Sequence, residues 1–224
     1  MTQFKPLTLE EGKYLVKLAR KSIEYYLEEG KLLPVPEDAP KRLTQLRYGA
    51  FVTLEIIPEE RVVPEVRPQL RGCIGYITGV RNLVRDIIEL AVYSATEDPR
   101  FPPVRRDELS RIIVEISILS KPELIEVKNP REYLDKVKIG EDGLMIEYGL
   151  YSGLLLPQVP VEYKWNVEQF LSELCIKAGL PPDMWLDRSV KIYKFKAQIF
   201  REKIPNGEVY ERNLLEELRK HGKP

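Results

Sequence analysis

Histidine is almost absent from this chain of 224 residues: the single one is His221, close to the C-terminus. Catalytic triads and dyads that use histidine as the base, and metal sites built on histidine, are therefore not expected. Cysteine is scarce too, since only Cys73 and Cys175 occur, so we expect neither a disulfide framework nor a structural zinc site. Few cysteines are typical of a reducing compartment, and we predict a cytoplasmic protein.

Long apolar runs and glycine-rich phosphate loops are also missing. No apolar stretch is long enough to span a bilayer, and the N-terminal MTQFKPLTLEEGKY lacks the core of a signal peptide, so no membrane association is predicted. Neither GxGxxG nor GxxxxGK[ST] occurs, and no cofactor is predicted. Basic and acidic residues number 35 each, a balance that argues against a dedicated nucleic-acid coat protein. Charged residues make up 31% of the chain, a composition that favours a thermophilic source.

The apolar pattern predicts a mixed order of helices and strands. Thr8 and Glu11 form a capping box before a helix that ends at Gly30, another helix is predicted over about 80–96, and Asn166 is predicted to cap a third. Strands are predicted over 49–57, 70–77 and 111–120, two or three within 139–157, and one long alternating strand over 190–200. This order predicts an α+β fold, with an antiparallel or mixed sheet and flanking helices.

The stretch QLRGCIGYITG, residues 69–79, carries the strongest chemical signal. Cys73 lies between Gly72 and Gly75, and glycines inside a strand mark a bulge or a close approach by another backbone or a ligand. Only a thiolate attacks, so a catalytic Cys73 requires a nearby cation, base or helix amino end, such as that of the helix predicted at 80–96. The alternative, which the residues alone favour, is a buried cysteine that packs beside a tight turn.

Three further stretches allow a functional and a structural interpretation. In DPRFPPV, Asp98 and Arg100 form a polar pair that organises a cleft, or the segment simply ends a helix with Phe101 in the core. In LLPQVPVE, Gln158 lies at the edge of a pocket, or the segment is a buried strand and turn. KIYKFK, residues 191–196, alternates lysine with aromatics as single-strand nucleic-acid binders do. A half-buried strand with one solvated face explains that pattern without a ligand and is favoured.

Taken together, several segments resemble the AMMECR domain, and the chain is identified as an archaeal-type member of that family. The resemblance rests on Arg47 to Leu54, on the LRGCIG signature at Leu70 to Gly75, on DPRFPPV, on LLPQVPVE with Trp165, and on a helix ending in KAGL. It implies one AMMECR-type domain over residues 1–224 with its core at about 8–203. It also implies a larger and a smaller lobe, the smaller built from about 121–165, a C-terminal tail over 204–224, and a cleft near LRGCIG.

Carried over by motif, the resemblance makes Cys73 the candidate nucleophile. The candidate binding residues are Arg71, Gly72, Gly75, Asp98, Arg100 and Gln158. The resemblance implies no particular reaction, but relatives are fused or adjacent to Memo-like and radical-SAM proteins, which suggests a role in modifying RNA or another biomolecule.

Three functional hypotheses stay open. In the first, the protein is a cysteine-dependent enzyme in which Arg71 or Arg100 binds an anionic group that Asp98 helps to orient. In the second, it is a non-catalytic binding or scaffold module for a partner protein or peptide, and Cys73 only packs. In the third, it binds nucleic acid through the lysine-rich stretch 190–203.

Overall fold

The computed structural model of the chain describes residues 4–59 and 68–220. The helices are α1 (Leu9–Glu29), α2 (Leu83–Thr96), α3 (Tyr133–Lys136), α4 (Gln158–Glu162), α5 (Val167–Lys177) and α6 (Leu214–Lys220). The strands are β1 (Gly49–Ile56), β2 (Gln69–Tyr76), β3 (Ile112–Leu119), β4 (Glu123–Leu124), β5 (Gly143–Tyr148), β6 (Tyr151–Leu155), β7 (Lys191–Phe195), β8 (Ala197–Glu202) and β9 (Val209–Glu211). Most of the proline-rich segment 58–68 and His221 lie outside the described residues.

The chain divides into two compact units. The first runs up to Leu119 and adds Gln198–Arg212. Its five-stranded sheet has the order β2-β1-β3-β8-β9, and β1 is antiparallel to both of its neighbours. Helices α1 and α2 cover one face of this sheet, where alternate residues of β1 and β3 join a common apolar core that includes Val52, Leu54, Ile116 and Ile118.

Local signals predicted both long helices of this unit correctly. The hydroxyl of Thr8 accepts the backbone N–H of Glu11, and the Glu11 carboxylate accepts the N–H of Thr8, so the capping box is confirmed. Gly30 ends α1 in the left-handed conformation, with φ at 67°. Helix α2 begins at Leu83, slightly later than predicted, because the side chain of Asn82 caps it by accepting the N–H of Arg85.

The second unit comprises Ser120–Ala197 and the residues from Asn213 onward. Its four-stranded sheet has the order β4-β7-β5-β6, and α5 packs on it through an apolar core that includes Leu144, Ile146, Phe170, Leu174 and Ile192. The smaller lobe predicted at about 121–165 falls within this unit. The segment predicted as a C-terminal tail supplies β9 to the first sheet and α6 to the second unit.

The α+β fold class is confirmed, but the prediction of one long strand over 190–200 is wrong. The chain leaves the second sheet after Phe195 and enters the first sheet at Ala197. At the junction, Ser120 and Lys196 exchange hydrogen bonds: the Ser120 N–H donates to the Lys196 carbonyl, and the Lys196 N–H donates to the Ser120 hydroxyl. Side-chain alternation has the same period in both strands, so it does not reveal a change of sheet.

Membrane-spanning helices are not found among the residues that the structure describes. Each helix there is too short or too polar to cross a bilayer.

Candidate functional site

Cys73 lies on β2, the edge strand of the first sheet. It stands opposite Thr53 of β1, which in turn stands opposite Glu115 of β3. Successive side chains of a strand point to opposite faces, so these three residues share the face that α1 and α2 do not cover. Cys73 is partly exposed there, whereas Glu115 is buried.

Gly72 lies on the other face of β2, and because it has no side chain, α2 can lie directly against the strand there. A Cβ atom on Gly72 would lie 2.0 Å from the carbonyl oxygen of Ser94. The Ser94 hydroxyl lies between the two strands, where it accepts the N–H of Ile74 at 2.9 Å and donates to the carbonyl of Val52 at 2.7 Å. Ser94 belongs to the last turn of α2, so the carboxyl end of this helix packs beside the Cys73 strand, and the amino end, named from the sequence as one candidate for activating Cys73, does not.

Asp98 and Arg100 bind the backbone of Cys73 along the open edge of β2. The Asp98 carboxylate accepts the N–H of Cys73 at 2.8 Å and the Nε and Nη2 groups of Arg100 at 2.9 and 2.6 Å. Nη2 of Arg100 also donates to the Cys73 carbonyl at 3.4 Å. The hydrogen bonds from Arg100 lower the pKa of Asp98 to about 2, so this carboxylate is ionised near neutral pH.

The Arg100 guanidinium is held in place while part of it faces solvent. Its side chain is 44% exposed, and its carbon Cζ lies 5.4 Å from the centre of the Phe101 ring. Asp98 and Cys73 use Nε and Nη2, and within residues 4–59 and 68–220 no protein acceptor uses Nη1. The arrangement offers two N–H donors in a fixed position beside Cys73.

Arg71 is buried and anchors the proline loop. Its Nε and Nη2 groups donate to the Glu108 carboxylate at 2.9 and 3.1 Å. Its Nη1 group donates to the carbonyl of Pro102 at 2.8 Å, and Nη2 also reaches the carbonyl of Pro103 at 3.3 Å. All three nitrogens thus have partners within the protein, and Arg71 holds the loop that presents Arg100.

The surroundings of Cys73 favour the neutral thiol. The Thr53 hydroxyl donates to Sγ at 3.3 Å. Burial raises the pKa of the Cys73 thiol, and the charges of Glu115 and Asp98 act in the same direction. The Thr53 hydrogen bond and the positive charge of Arg100 offset only part of this rise in pKa.

The other two predicted binding residues, Gly75 and Gln158, lie in different units of the structure. Gly75 lies opposite Phe51, and a Cβ atom there would be 2.2 Å from the Phe51 ring, so that ring covers the glycine on the Cys73 face. Gln158 belongs to the second unit, where it is the first residue of α4 and is buried.

Thr53, Ser94 and Glu115 contribute to the site but were not predicted from the sequence. Glu115 had a detectable signal, because it interrupts the apolar strand RIIVEISILS. In the structure its carboxylate accepts Nη1 of Arg212 at 2.8 Å and lies 3.5 Å from Nη1 of Arg201. A charged residue inside an apolar strand indicates a buried partner of opposite charge, but the sequence does not identify that partner.

Across residues 4–59 and 68–220, no three cysteine, histidine or carboxylate side chains are grouped closely enough to hold a metal ion. In the lysine-rich stretch, Nζ of Lys196 pairs with Glu141 at 3.0 Å and with Asp142 at 2.9 Å. Lys194 donates to the carbonyl of Lys136 at 3.3 Å.

The fold and site define an α+β protein with a cysteine-bearing edge strand whose backbone is held by an aspartate–arginine pair. The AMMECR1 family model matches residues 16–200, and the chain belongs to the AMMECR1 family. It is 54% identical to protein MJ0810 of Methanocaldococcus jannaschii over 93% of this chain and 98% of that protein. It is 51% identical to protein PYRAB00100 of Pyrococcus abyssi over 92% of this chain and 97% of that protein.

A solved structure matches the fold as well. The crystal structure of the uncharacterized protein PH0010 from Pyrococcus horikoshii superimposes with a TM-score of 0.84 at 50% identity. The match covers 91% of this chain and 97% of that one.

Proposed function

We propose that this protein is a recognition module that binds a segment of a partner protein at the surface around Cys73, rather than an enzyme that uses Cys73 as a nucleophile. The observation that carries the proposal is the position of Arg100. Asp98 holds its guanidinium in a fixed orientation, the side chain is 44% exposed, and the two N–H donors of Nη1 have no acceptor among residues 4–59 and 68–220. A donor group fixed before binding loses little side-chain entropy when a ligand arrives.

The Cys73 surface combines this donor with apolar area. Phe51 is half-buried on the same sheet face, and Phe101 lies beside the Arg100 guanidinium. Aromatic side chains together with arginine are the residues that most often dominate binding energy in protein interfaces. A partner segment with an acceptor oxygen, from a carboxylate or a backbone carbonyl, flanked by apolar side chains matches this surface.

The backbone of β2 at Cys73 is not open for strand addition. Its N–H donates to Asp98 and its carbonyl accepts from Arg100, so a partner strand has no unpaired backbone group to bind at that residue. We therefore infer that the partner contacts side chains of the sheet face and of the proline loop.

Panning a random peptide library on the folded protein tests the proposal. Peptides enriched on the wild-type chain should keep their affinity for Cys73→Ala within about threefold, because Cys73 contributes only packing. The same peptides should bind Arg100→Gln at least about tenfold more weakly, because a charge-assisted hydrogen bond is lost.

Arg105 offers a matched control for Arg100. It forms the same paired contact with a carboxylate two residues away, at 3.1 and 2.8 Å to Asp107, and lies outside the site. Arg105→Gln should bind the enriched peptides like the wild type. Equal loss in Arg100→Gln and Arg105→Gln, or a strong loss in Cys73→Ala alone, contradicts the proposal.

The cysteine-dependent enzyme is the second candidate, and it is favoured by one observation, namely that Cys73 is partly exposed beside Thr53 and Arg100. The raised pKa makes a clear prediction for alkylation by iodoacetamide. Since the reactive thiolate is only a small fraction of the thiol at pH values below its pKa, Cys73 should react more slowly than glutathione near pH 7, and its rate should still be rising above pH 9.

Mass spectrometry of the alkylated chain measures the rate at each cysteine separately. Cys175 is fully buried, with its pKa raised to about 11 by burial, and should stay unmodified in the folded protein. Cys73→Ser supplies the control, since it should remove all alkylation of the native chain. A Cys73 that reacts faster than glutathione at pH 6 to 7 would indicate a stabilised thiolate and favour the enzyme.

A further inference from the structure

Two adjoining cavities of the first unit lie outside the site described above and share a wall of arginines. One has a volume of about 510 Å³ and is lined by Arg47, Arg81 and Arg85, together with Thr44, Gln45 and Asn82. The other has a volume of about 380 Å³. Its lining is aliphatic except for Glu89 and for Arg81 and Arg85, which it shares with the first cavity. Together they form one concave surface with a basic half and an apolar half.

The backbone that presents the arginines is firmly held. The N–H of Leu83 donates to the carbonyl of Leu46 at 2.8 Å, which joins the start of α2 to the segment that carries Arg47. Gly79 approaches the backbone of Arg47 so closely that a Cβ atom would lie 2.7 Å from the Arg47 carbonyl carbon. The buried Asp86 carboxylate accepts the N–H groups of Val80 and Arg81, each at 3.0 Å.

The charges in the basic half are only partly neutralised. Arg81 forms an ion pair with Glu89. Arg47 and Arg85 are exposed, and neither forms an ion pair with any of the residues described. The carboxylate oxygens of Asp86 accept the backbone N–H groups of Val80 and Arg81, so this carboxylate is already hydrogen-bonded. Guanidinium groups that converge on one cavity match the several acceptor oxygens of a phosphate group.

The apolar half restricts which chemical group of a ligand can accompany the phosphate. Leu32, Leu33, Pro34, Val35 and Ile88 line it, and no aromatic ring is among them to stack on a nucleobase. Leu32 is 41% exposed at its rim, so apolar surface there is open to a ligand. The joined volumes suit a small molecule.

We propose that these cavities bind a phosphate ester with an aliphatic chain. The phosphate contacts Arg47 and Arg85, and the chain lies along Leu32 and its aliphatic neighbours. This inference is independent of the function proposed for the Cys73 surface, because the two sites share no residue.

Isothermal titration of the full chain with hexyl phosphate, inorganic phosphate and hexanol tests the proposal. Hexyl phosphate should bind at least about tenfold more tightly than inorganic phosphate, because burial of its methylene groups adds to the phosphate contacts. Arg47→Gln and Arg85→Gln should each weaken hexyl phosphate about tenfold or more. Leu32→Ser should reduce the affinity for hexyl phosphate toward that for inorganic phosphate and leave the latter unchanged.

Arg188→Gln is the matched control, because it removes the same charge from an exposed position in the second unit. It should bind hexyl phosphate like the wild type, and circular dichroism should show that all variants are folded. Absence of hexyl phosphate binding at millimolar concentration, or equal affinity in Arg85→Gln and wild type, overturns the proposal. Binding to phosphatidylglycerol vesicles without binding to hexyl phosphate overturns it in favour of a lipid surface.

Discussion

Arg20→Met is expected to lower the free energy of unfolding by about 3–5 kcal/mol, because it leaves a buried carboxylate without its cation. Nε and Nη2 of Arg20 donate to the two oxygens of Glu202 at 2.7 and 2.6 Å, and both residues are buried. The same guanidinium donates to the carbonyl of Ile112 at 2.5 Å. In the variant, Glu202 retains the N–H of Val114 at 2.9 Å as its partner. Denaturant unfolding followed by circular dichroism measures the loss.

An exposed ion pair supplies the control for this measurement. Arg106 pairs with Glu28, and the side chains are 70% and 46% exposed. Arg106→Met should therefore change stability by no more than about 1 kcal/mol. The double variant Arg20→Met with Glu202→Leu should recover much of the lost stability, because it removes the unpaired charge. If Arg20→Met proves as stable as Arg106→Met, the buried pair does not have the role assigned to it.

Gly72→Ala is expected to destabilise the protein by about 3 kcal/mol and to disturb the Cys73 site. The added methyl group would lie 2.0 Å from the carbonyl oxygen of Ser94, so β2 and the last turn of α2 must separate. The Ser94 hydroxyl contact with Ile74 and the Asp98 contact with the Cys73 N–H depend on the same spacing. Thermal unfolding and the loss of enriched-peptide binding together measure both effects.

Gly30→Ala separates this clash from the general cost of replacing a glycine. Gly30 belongs to the same unit, and no atom lies within 4 Å of the added methyl group. Its φ of 67° is unfavourable for alanine, which costs about 1–2 kcal/mol. Gly72→Ala should be the less stable of the two variants. The opposite order would show that α2 yields to the extra methyl group.

The partners of Glu115 and the change of sheet within residues 190–200 could not be predicted from the sequence. The sequence contains a carboxylate inside an apolar strand, but Arg201 and Arg212, its partners, lie 86 and 97 residues away. Likewise, the alternation over 190–200 predicted extended backbone correctly, whereas the change of sheet at Lys196 follows from pairing with Ser120. Pairing across such distances depends on tertiary contacts that leave no local pattern.

The amino-acid sequence by itself determined the features that depend on near neighbours. It predicted the three longest helices, with the capping box at Thr8 and the cap at Asn166, and it identified the Cys73 strand as the segment of interest. The tertiary structure decided the chemistry of that segment, because Asp98 and Thr53, which set the environment of Cys73, are 25 and 20 residues away. The raised pKa of the Cys73 thiol and the contacts that hold Arg100 likewise depend on how distant elements pack, which no periodicity encodes.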